Sequence, residues 1–438
     1  MSKAWLFWLP LLFLPSLGYE QPTPFGTLTL ADFLIGPYLI LVYFGSRHPG
    51  APRKKRVDAL LPLLLVFLWW ATISTLLLPL RYDYATHHPL WFGLLKLGKL
   101  SLYGVAGILT IKALPHDEKR GGFYWSLLMA GVVVGVTLFL TQNSYDELRL
   151  LEPGKSTQVY QENPTSAMMS ILICFVAGSL LAGNGTSRWR RYASIGLVVM
   201  FLGFIMAEGR GGWLAALAGV LYLFAHVNLR RTFVASIVGV ALVIFAYNQF
   251  PNFKEQVDRT LQPDVTYLKK YQVGVFGLDD GGRWVILKAE APKVLDSPIF
   301  GRGFFHRGGL SGIFLNGSHN FFLQMFLETG IPGGLLILGI FWRMWLHAAR
   351  PVPEAENQKL PARAALLAAF VVGLSGEYFY GGTTLFALLL AYAPVGSSPD
   401  TMRAAGRLSL LALRYGSRQR APATLHTRIE YPANHNHS

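Results

Sequence analysis

The stretch Ala59-Leu60-Leu61-Pro62-Leu63-Leu64-Leu65-Val66-Phe67-Leu68-Trp69-Trp70-Ala71-Thr72-Ile73-Ser74-Thr75-Leu76-Leu77-Leu78-Pro79-Leu80 carries no charged residue, and Arg53-Lys54-Lys55-Arg56 stands just before it. A bilayer is crossed by roughly 17–25 mostly apolar residues in a helix. Basic residues are held on the cytoplasmic side because moving them across is unfavourable. Charge block and apolar run together therefore read as a transmembrane helix that starts at the cytoplasmic face.

Similar runs extend in both directions. Before it lie Trp5–Leu17 and Leu28–Gly45; after it come Leu90–Ile111, Phe123–Thr141, Ser166–Ala182, Ala193–Ala207, Trp213–Val227, Thr232–Phe250, Asn320–Leu346, Ala364–Tyr380 and Thr383–Val395. The expected fold is all-α: a polytopic integral membrane protein with about 12 transmembrane helices, forming a single transmembrane domain over residues 1–438. Composition agrees, with 52% hydrophobic and only 14% charged residues, against about a quarter charged in soluble chains. The formal charge of +15 is then explained by retained cytoplasmic arginine and lysine before any nucleic-acid role is needed. No fixed-period repeat and no soluble domain remains. Cys174 is the single cysteine, so the chain has no internal disulfide and no cysteine-based metal cluster.

The connections set the orientation. Arg47 and Arg53–Arg56 fill the second, Lys112, Lys119 and Arg120 the fourth, Arg188, Arg190 and Arg191 the sixth, and Arg230 and Arg231 the eighth. Loops such as Gly18–Thr27 and Arg81–Pro89 are poorer in basic residues. The alternation places both termini in the cytoplasm, with 396–438 as a basic cytoplasmic tail that includes Arg403, Arg407, Arg414, Arg418 and Arg420. Ser16 and Gly18 fit an A-x-A-like cleavage site poorly, so the first apolar segment is expected to stay in place. The longest connection, 251–318, joins spans 9 and 10 on the periplasmic side. Within it Trp284, Leu287, Ala291, Val294 and Leu295 recur at helical spacing, predicting an amphipathic helix over Gly282–Leu295.

Three residues on that side stand out. Arg210 lies in the short turn Glu208-Gly209-Arg210-Gly211-Gly212, where glycines allow close approach of backbone and ligand; a snorkelling interface anchor is the plainer alternative. Arg283 opens the loop helix behind Asp279-Asp280-Gly281-Gly282, and by itself would pass for a surface charge. Asp279 and Asp280 read better as acidic residues at a helix start than as a metal pair. His319 stands where the chain re-enters the membrane, and Asn320, Gln324 and Glu328 follow at i+4 spacing, giving that helix a polar face. Pro332 deprives the Glu328 carbonyl of its helical donor and predicts a kink. Lys96 and Lys99 lie inside the fourth span; they either snorkel or pair with Asp32, or they face a cavity that receives an anionic head group. Glu377 and the loop pair His87 and His88 are weaker candidates.

These residues resemble the bacterial O-antigen ligase superfamily. The likeness rests on Arg210 in its glycine-rich turn, on Arg283, on Pro298-Ile299-Phe300-Gly301-Arg302-Gly303, and above all on His319-Asn320-Phe321-Phe322-Leu323-Gln324 with Glu328-Thr329-Gly330-Ile331-Pro332-Gly333. The specific motifs occupy about 207–335, whereas the architecture matches along nearly the whole chain. The superfamily holds ligases that join O-antigen to the lipid A core, polymerases that extend the glycan, and protein O-oligosaccharyltransferases. The resemblance implies a glycosyltransferase of the bacterial inner membrane, with an undecaprenyl-diphosphate-linked O-antigen as donor and the lipid A core as acceptor. It implies His319 as general base and Arg210 and Arg283 as diphosphate stabilisers, with no cofactor. Lys96, Lys99, Asn320 and Gln324 would bind substrate. The chemistry suits the residue types, because guanidinium groups present planar, paired donors to phosphate and imidazole is suited to accept a hydroxyl proton. The compact chain speaks against the protein O-oligosaccharyltransferases. Ligase is preferred to polymerase because the histidine and both arginines stand in the ligase-like arrangement. A lipid-linked glycan transporter, the reading from another class, would show two related halves with paired discontinuous helices, and neither is evident.

Overall fold

The computed structural model describes residues 4–13, 22–23, 26–27, 30–46, 60–77, 89–114, 121–143, 162–207, 209–227, 229–261, 283–304, 318–349, 356–376 and 378–396. Asp279, Asp280, His87, His88, Glu377 and the tail from Ser397 onward lie outside these residues.

Each apolar run read from the sequence overlaps helix among the described residues. The helices are α1 (Ala4–Trp8), α2 (Leu30–Ser46), α3 (Leu60–Leu76), α4 (Pro89–Ala113), α5 (Gly121–Asn143), α6 (Glu162–Leu181), α7 (Ser187–Met206) and α8 (Arg210–His226). They continue with α9 (Leu229–Gln249), α10 (Pro251–Leu261), α11 (Arg283–Glu290), α12 (Phe321–Ala349), α13 (Glu356–Ser375) and α14 (Thr383–Gly396). The only strands among the described residues are Pro22–Thr23 and Gly26–Thr27, a two-residue antiparallel pair. Five helices among the described residues are long and apolar enough to cross a membrane, in α4, α5, α7, α9 and α12, and shorter apolar helices lie within α2, α3, α6 and α14. The first run differs from expectation: it is α1 followed by a 3-10 turn at Pro10–Phe13, because Pro10 has no N–H to continue the helical ladder.

Helix α6 is the hub, touching α5, α7, α8, α13 and α14, and residues 165–176 are buried without a break. Between helices in lipid, close packing replaces the hydrophobic effect as the attractive term, and small residues permit it. A Cβ at Gly212 would run into Ser166, and one at Gly203 into the backbone of Gly135. Helix α9 is the opposite case: its apolar side chains, among them Phe233, Ile237, Val240 and Ile244, are exposed. Such a surface suits lipid.

The predicted loop helix forms over a shorter range. It runs as α-helix only from Arg283 to Glu290 and then tightens to a 3-10 turn over Ala291–Asp296, since Pro292 cannot donate to the Lys288 carbonyl. A second helix in the same connection, α10, was not foreseen. It begins with Pro251 and packs Phe253 and Val257 near Ile205 and Ala246.

The kink foreseen near Pro332 is a true break, located at Gly330 (φ 71°, ψ −177°). Its free backbone groups are all answered from elsewhere. The Glu328 carbonyl accepts from the Gly303 N–H and the Ser74 hydroxyl, each at 2.8 Å. The Leu327 carbonyl accepts from the Arg302 N–H at 2.8 Å, and the Ile331 N–H donates to the Pro298 carbonyl at 2.7 Å. The Thr329 carbonyl accepts from Trp70 Nε1 at 2.8 Å, while the Trp70 ring stacks on Phe300 at 5.0 Å. Segment 298–303 and the end of α3 thus act together as a clasp around the break.

Candidate active site

The entry into α12 is held by its own side chains. Asn320 is the cap, its Oδ1 accepting from the Leu323 N–H at 3.0 Å, which satisfies one of the free donors of a helix start. Gln324 reaches back so that its Oε1 accepts from the Ser318 N–H at 3.0 Å, and the Ser318 hydroxyl donates to the Asn320 carbonyl at 2.8 Å. Between these ties His319 is left-handed, with φ 52°, the one non-glycine residue with positive φ among the described residues. That conformation costs an L-residue about 1–2 kcal/mol, and such strain persists where the surroundings fix it, often at functional sites.

The turn opens on a cavity of about 210 Å³. Ser318, His319 and Asn320 form one wall, Arg283, Trp284 and Leu287 of α11 a second, and Leu374 of α13 a third. Among the described residues no acidic side chain lines it, so an anion entering would meet a guanidinium and an imidazole. Among the described residues the Arg283 guanidinium has no hydrogen-bond or ion-pair partner, although it is only half-exposed. The structure therefore brings together His319, Arg283 and Asn320.

Other candidates stand outside the lining. Arg210 opens α8 behind its cap Gly209. The Gly209 carbonyl accepts from the Ser166 hydroxyl at 2.9 Å, and a Cβ at Gly211 would press on Ser375, the neighbour of cavity residue Leu374. Gln324 is buried behind the turn, its Nε2 donating to Glu328 Oε1 at 2.8 Å. Glu328 Oε2 in turn accepts from the Tyr380 hydroxyl at 2.6 Å. The polar ladder foreseen along α12 exists, but below Asn320 it closes on itself and supports the turn. Lys99 pairs with Asp32 at 2.7 Å, and the Tyr103 hydroxyl donates to the same carboxylate at 3.1 Å. Lys96, one turn earlier on α4, is half-buried.

Sequence reasoning missed several participants. Trp284 and Leu287 were read only as the apolar face of an amphipathic helix, whereas they wall the cavity. Ser74 and Trp70, which cap the α12 break, share their run with Trp69, Thr72 and Thr75, so the sequence did not set them apart. Tyr380 gave no signal that set it apart from other aromatic residues.

Fold and site together define a helical membrane protein with a cation-lined cavity at the mouth of a broken span. Residues 195–338 match the O-antigen ligase family model, and the match supports the O-antigen ligase superfamily for this chain. The matched segment contains Arg210, Arg283 and His319. Members of that superfamily are glycosyltransferase-like enzymes of ligase or polymerase type, with lipid-linked glycan and lipid acceptor as substrates in general. No curated protein matches the chain.

Proposed function

We propose that the chain is an O-antigen ligase of the bacterial inner membrane, with its site on the periplasmic face, both termini cytoplasmic and about twelve spans. It would move a glycan from undecaprenyl diphosphate to a sugar hydroxyl of the lipid A core. The observation that carries this reading is the shared cavity of His319 and Arg283, entered from a strained turn.

In the proposed reaction the acceptor hydroxyl oxygen attacks the anomeric carbon as the bond from that carbon to the diphosphate oxygen breaks. The bonding pair leaves with the diphosphate, and the hydroxyl proton passes to the His319 imidazole. A single displacement of this kind inverts the anomeric centre. Arg283 meets the developing phosphate charge inside the cavity, where preorganised donors act most strongly. Arg210 is assigned the same task from the neighbouring turn. Asn320, which lines the cavity, is assigned to touch substrate, and Gln324 is assigned to hold the turn. Lys96 is proposed to draw in the donor diphosphate, while Lys99 could assist only by leaving Asp32.

The test is a gel of lipopolysaccharide from a deletion strain complemented with wild type or His319→Ala. Bare lipid A core in the deletion and His319→Ala strains, with long glycan retained on polyprenyl diphosphate, is the expected result. Core carrying a single repeat unit would assign the polymerase reaction instead. Normal lipopolysaccharide in the His319→Ala strain would remove the histidine from the mechanism.

A further inference from the structure

A second concavity, of about 460 Å³, lies between the starts of α5 and α7, lined by Trp125, Met129, Arg188 and Tyr192. It shares no residue with the His319 cavity. The Trp125 and Tyr192 rings pack against each other, with centroids 5.6 Å apart and planes tilted, and together form one aromatic wall. Arg188 is exposed, and among the described residues its guanidinium has no hydrogen-bond or ion-pair partner. Arg190 and Arg191 are exposed beside it.

The surface continues in one direction only. On α7, Arg188, Tyr192 and Ile195 follow at helical i, i+4, i+7 spacing, and on α5 Trp125 and Met129 lead on to Val136 and Leu140. Tyr192, Ile195, Met129, Val136 and Leu140 are all exposed. The groove therefore has a cationic end, an aromatic collar and an apolar track running away from the charge. That is the order of parts in a phospholipid: phosphate, glycerol ester region, acyl chain. Aromatic residues favour this interfacial depth, and an arginine offers paired donors to a phosphate. In the chain, Lys119 and Arg120 come just before α5, as Arg188, Arg190 and Arg191 come at the start of α7.

We propose that this groove is a binding site for an anionic phospholipid, with the phosphate on Arg188 and one acyl chain lying along the wall formed by Trp125 and Tyr192. The site is separate from the glycosyl-transfer reading and stands or falls without it. An anionic lipid gains from the free cations, whereas a zwitterionic one brings its own positive charge and gains less.

The full chain in lipid nanodiscs provides the test. Acyl-brominated phosphatidylglycerol and acyl-brominated phosphatidylcholine serve as quenchers of tryptophan fluorescence, and the signal of Trp125 is the difference between wild type and Trp125→Phe. Phosphatidylglycerol is expected to quench that component at lower mole fraction than phosphatidylcholine. Arg188→Gln should weaken the preference by about fivefold, roughly the effect of one basic residue at a membrane surface. Arg188→Lys should retain most of it. Unchanged quenching of the remaining tryptophans by phosphatidylcholine shows that the variants keep their fold. Equal quenching of Trp125 by both lipids, or a phosphatidylglycerol preference untouched by Arg188→Gln, would overturn the proposal. So would the absence of quenching by either lipid, since protein would then cover the groove.

Discussion

Two charged constellations at apolar helices look alike in the sequence and differ in the structure. Asp32, Lys99 and Tyr103 form a closed set, in which the ammonium and the hydroxyl both bind one carboxylate and the charged side chains are about nine-tenths buried. His319 and Arg283 form an open set, both facing a cavity with no acidic residue among its described lining. A buried charge is tolerated when it is paired. A pair that satisfies itself needs no ligand, whereas a guanidinium that faces a cavity is prepared for one. If the proposed function holds, the comparison separates charges that stabilise the bundle from charges that serve the reaction.

The largest expected effect falls on the open set. His319→Ala should lower turnover by about 10²–10⁴-fold, the usual contribution of a positioned general base, as read by release of polyprenyl diphosphate in proteoliposomes. Arg283→Ala should follow at about 10²–10³-fold. Arg283→Lys should recover only part of the loss, because an ammonium lacks the planar pair of donors. If both substitutions left turnover intact, the open set would have no catalytic part and the contrast would collapse.

The closed set should respond in stability instead. Asp32→Ala leaves a buried ammonium unpaired and is expected to destabilise by about 3 kcal/mol, whereas Asp32→Ala with Lys99→Met should regain much of that in thermal unfolding. A double variant no more stable than the single one would show that the pair is not self-contained. Gln324→Leu lies between the two sets. It orphans the Ser318 N–H and removes a donor from Glu328, so a loss of about 1–3 kcal/mol is expected. Turnover should fall with it while donor KM stays fixed, since the turn that holds His319 loosens. The smallest effect should come from the two lysines: Lys96→Met should raise donor KM, and Lys99→Met should leave it nearly unchanged. The reverse order would mean that Lys99 abandons Asp32 when donor binds.

Much of this was legible before any coordinates. Span positions followed from uncharged runs such as Ala59–Leu80, because lipid imposes composition directly on sequence. The polar face of α12 followed from i+4 spacing at Asn320, Gln324 and Glu328. What each of those residues faces was hidden, because it depends on the left-handed turn at His319 and on the bond from the Ser318 N–H back to Gln324. The left-handed backbone of His319 was hidden as well, since a histidine side chain does not dictate it. The break in α12 was anticipated at Pro332 but formed at Gly330, because its position is set by the clasp. The Ser74 hydroxyl that helps close the clasp is 254 positions away from Glu328 in the chain, and no local pattern records such a distance.

That clasp also fixes an order of events at the ribosome. Peptide carbonyls cannot be left bare in hydrocarbon, and among the described residues those of Leu327, Glu328 and Thr329 meet donors on Trp70, Ser74, Arg302 and Gly303. All four donors are translated before the residues they serve. The nascent α12 thus enters a membrane in which the groups that accommodate its broken turn have already been made, and its first half can settle as it emerges, without waiting for α13 or α14.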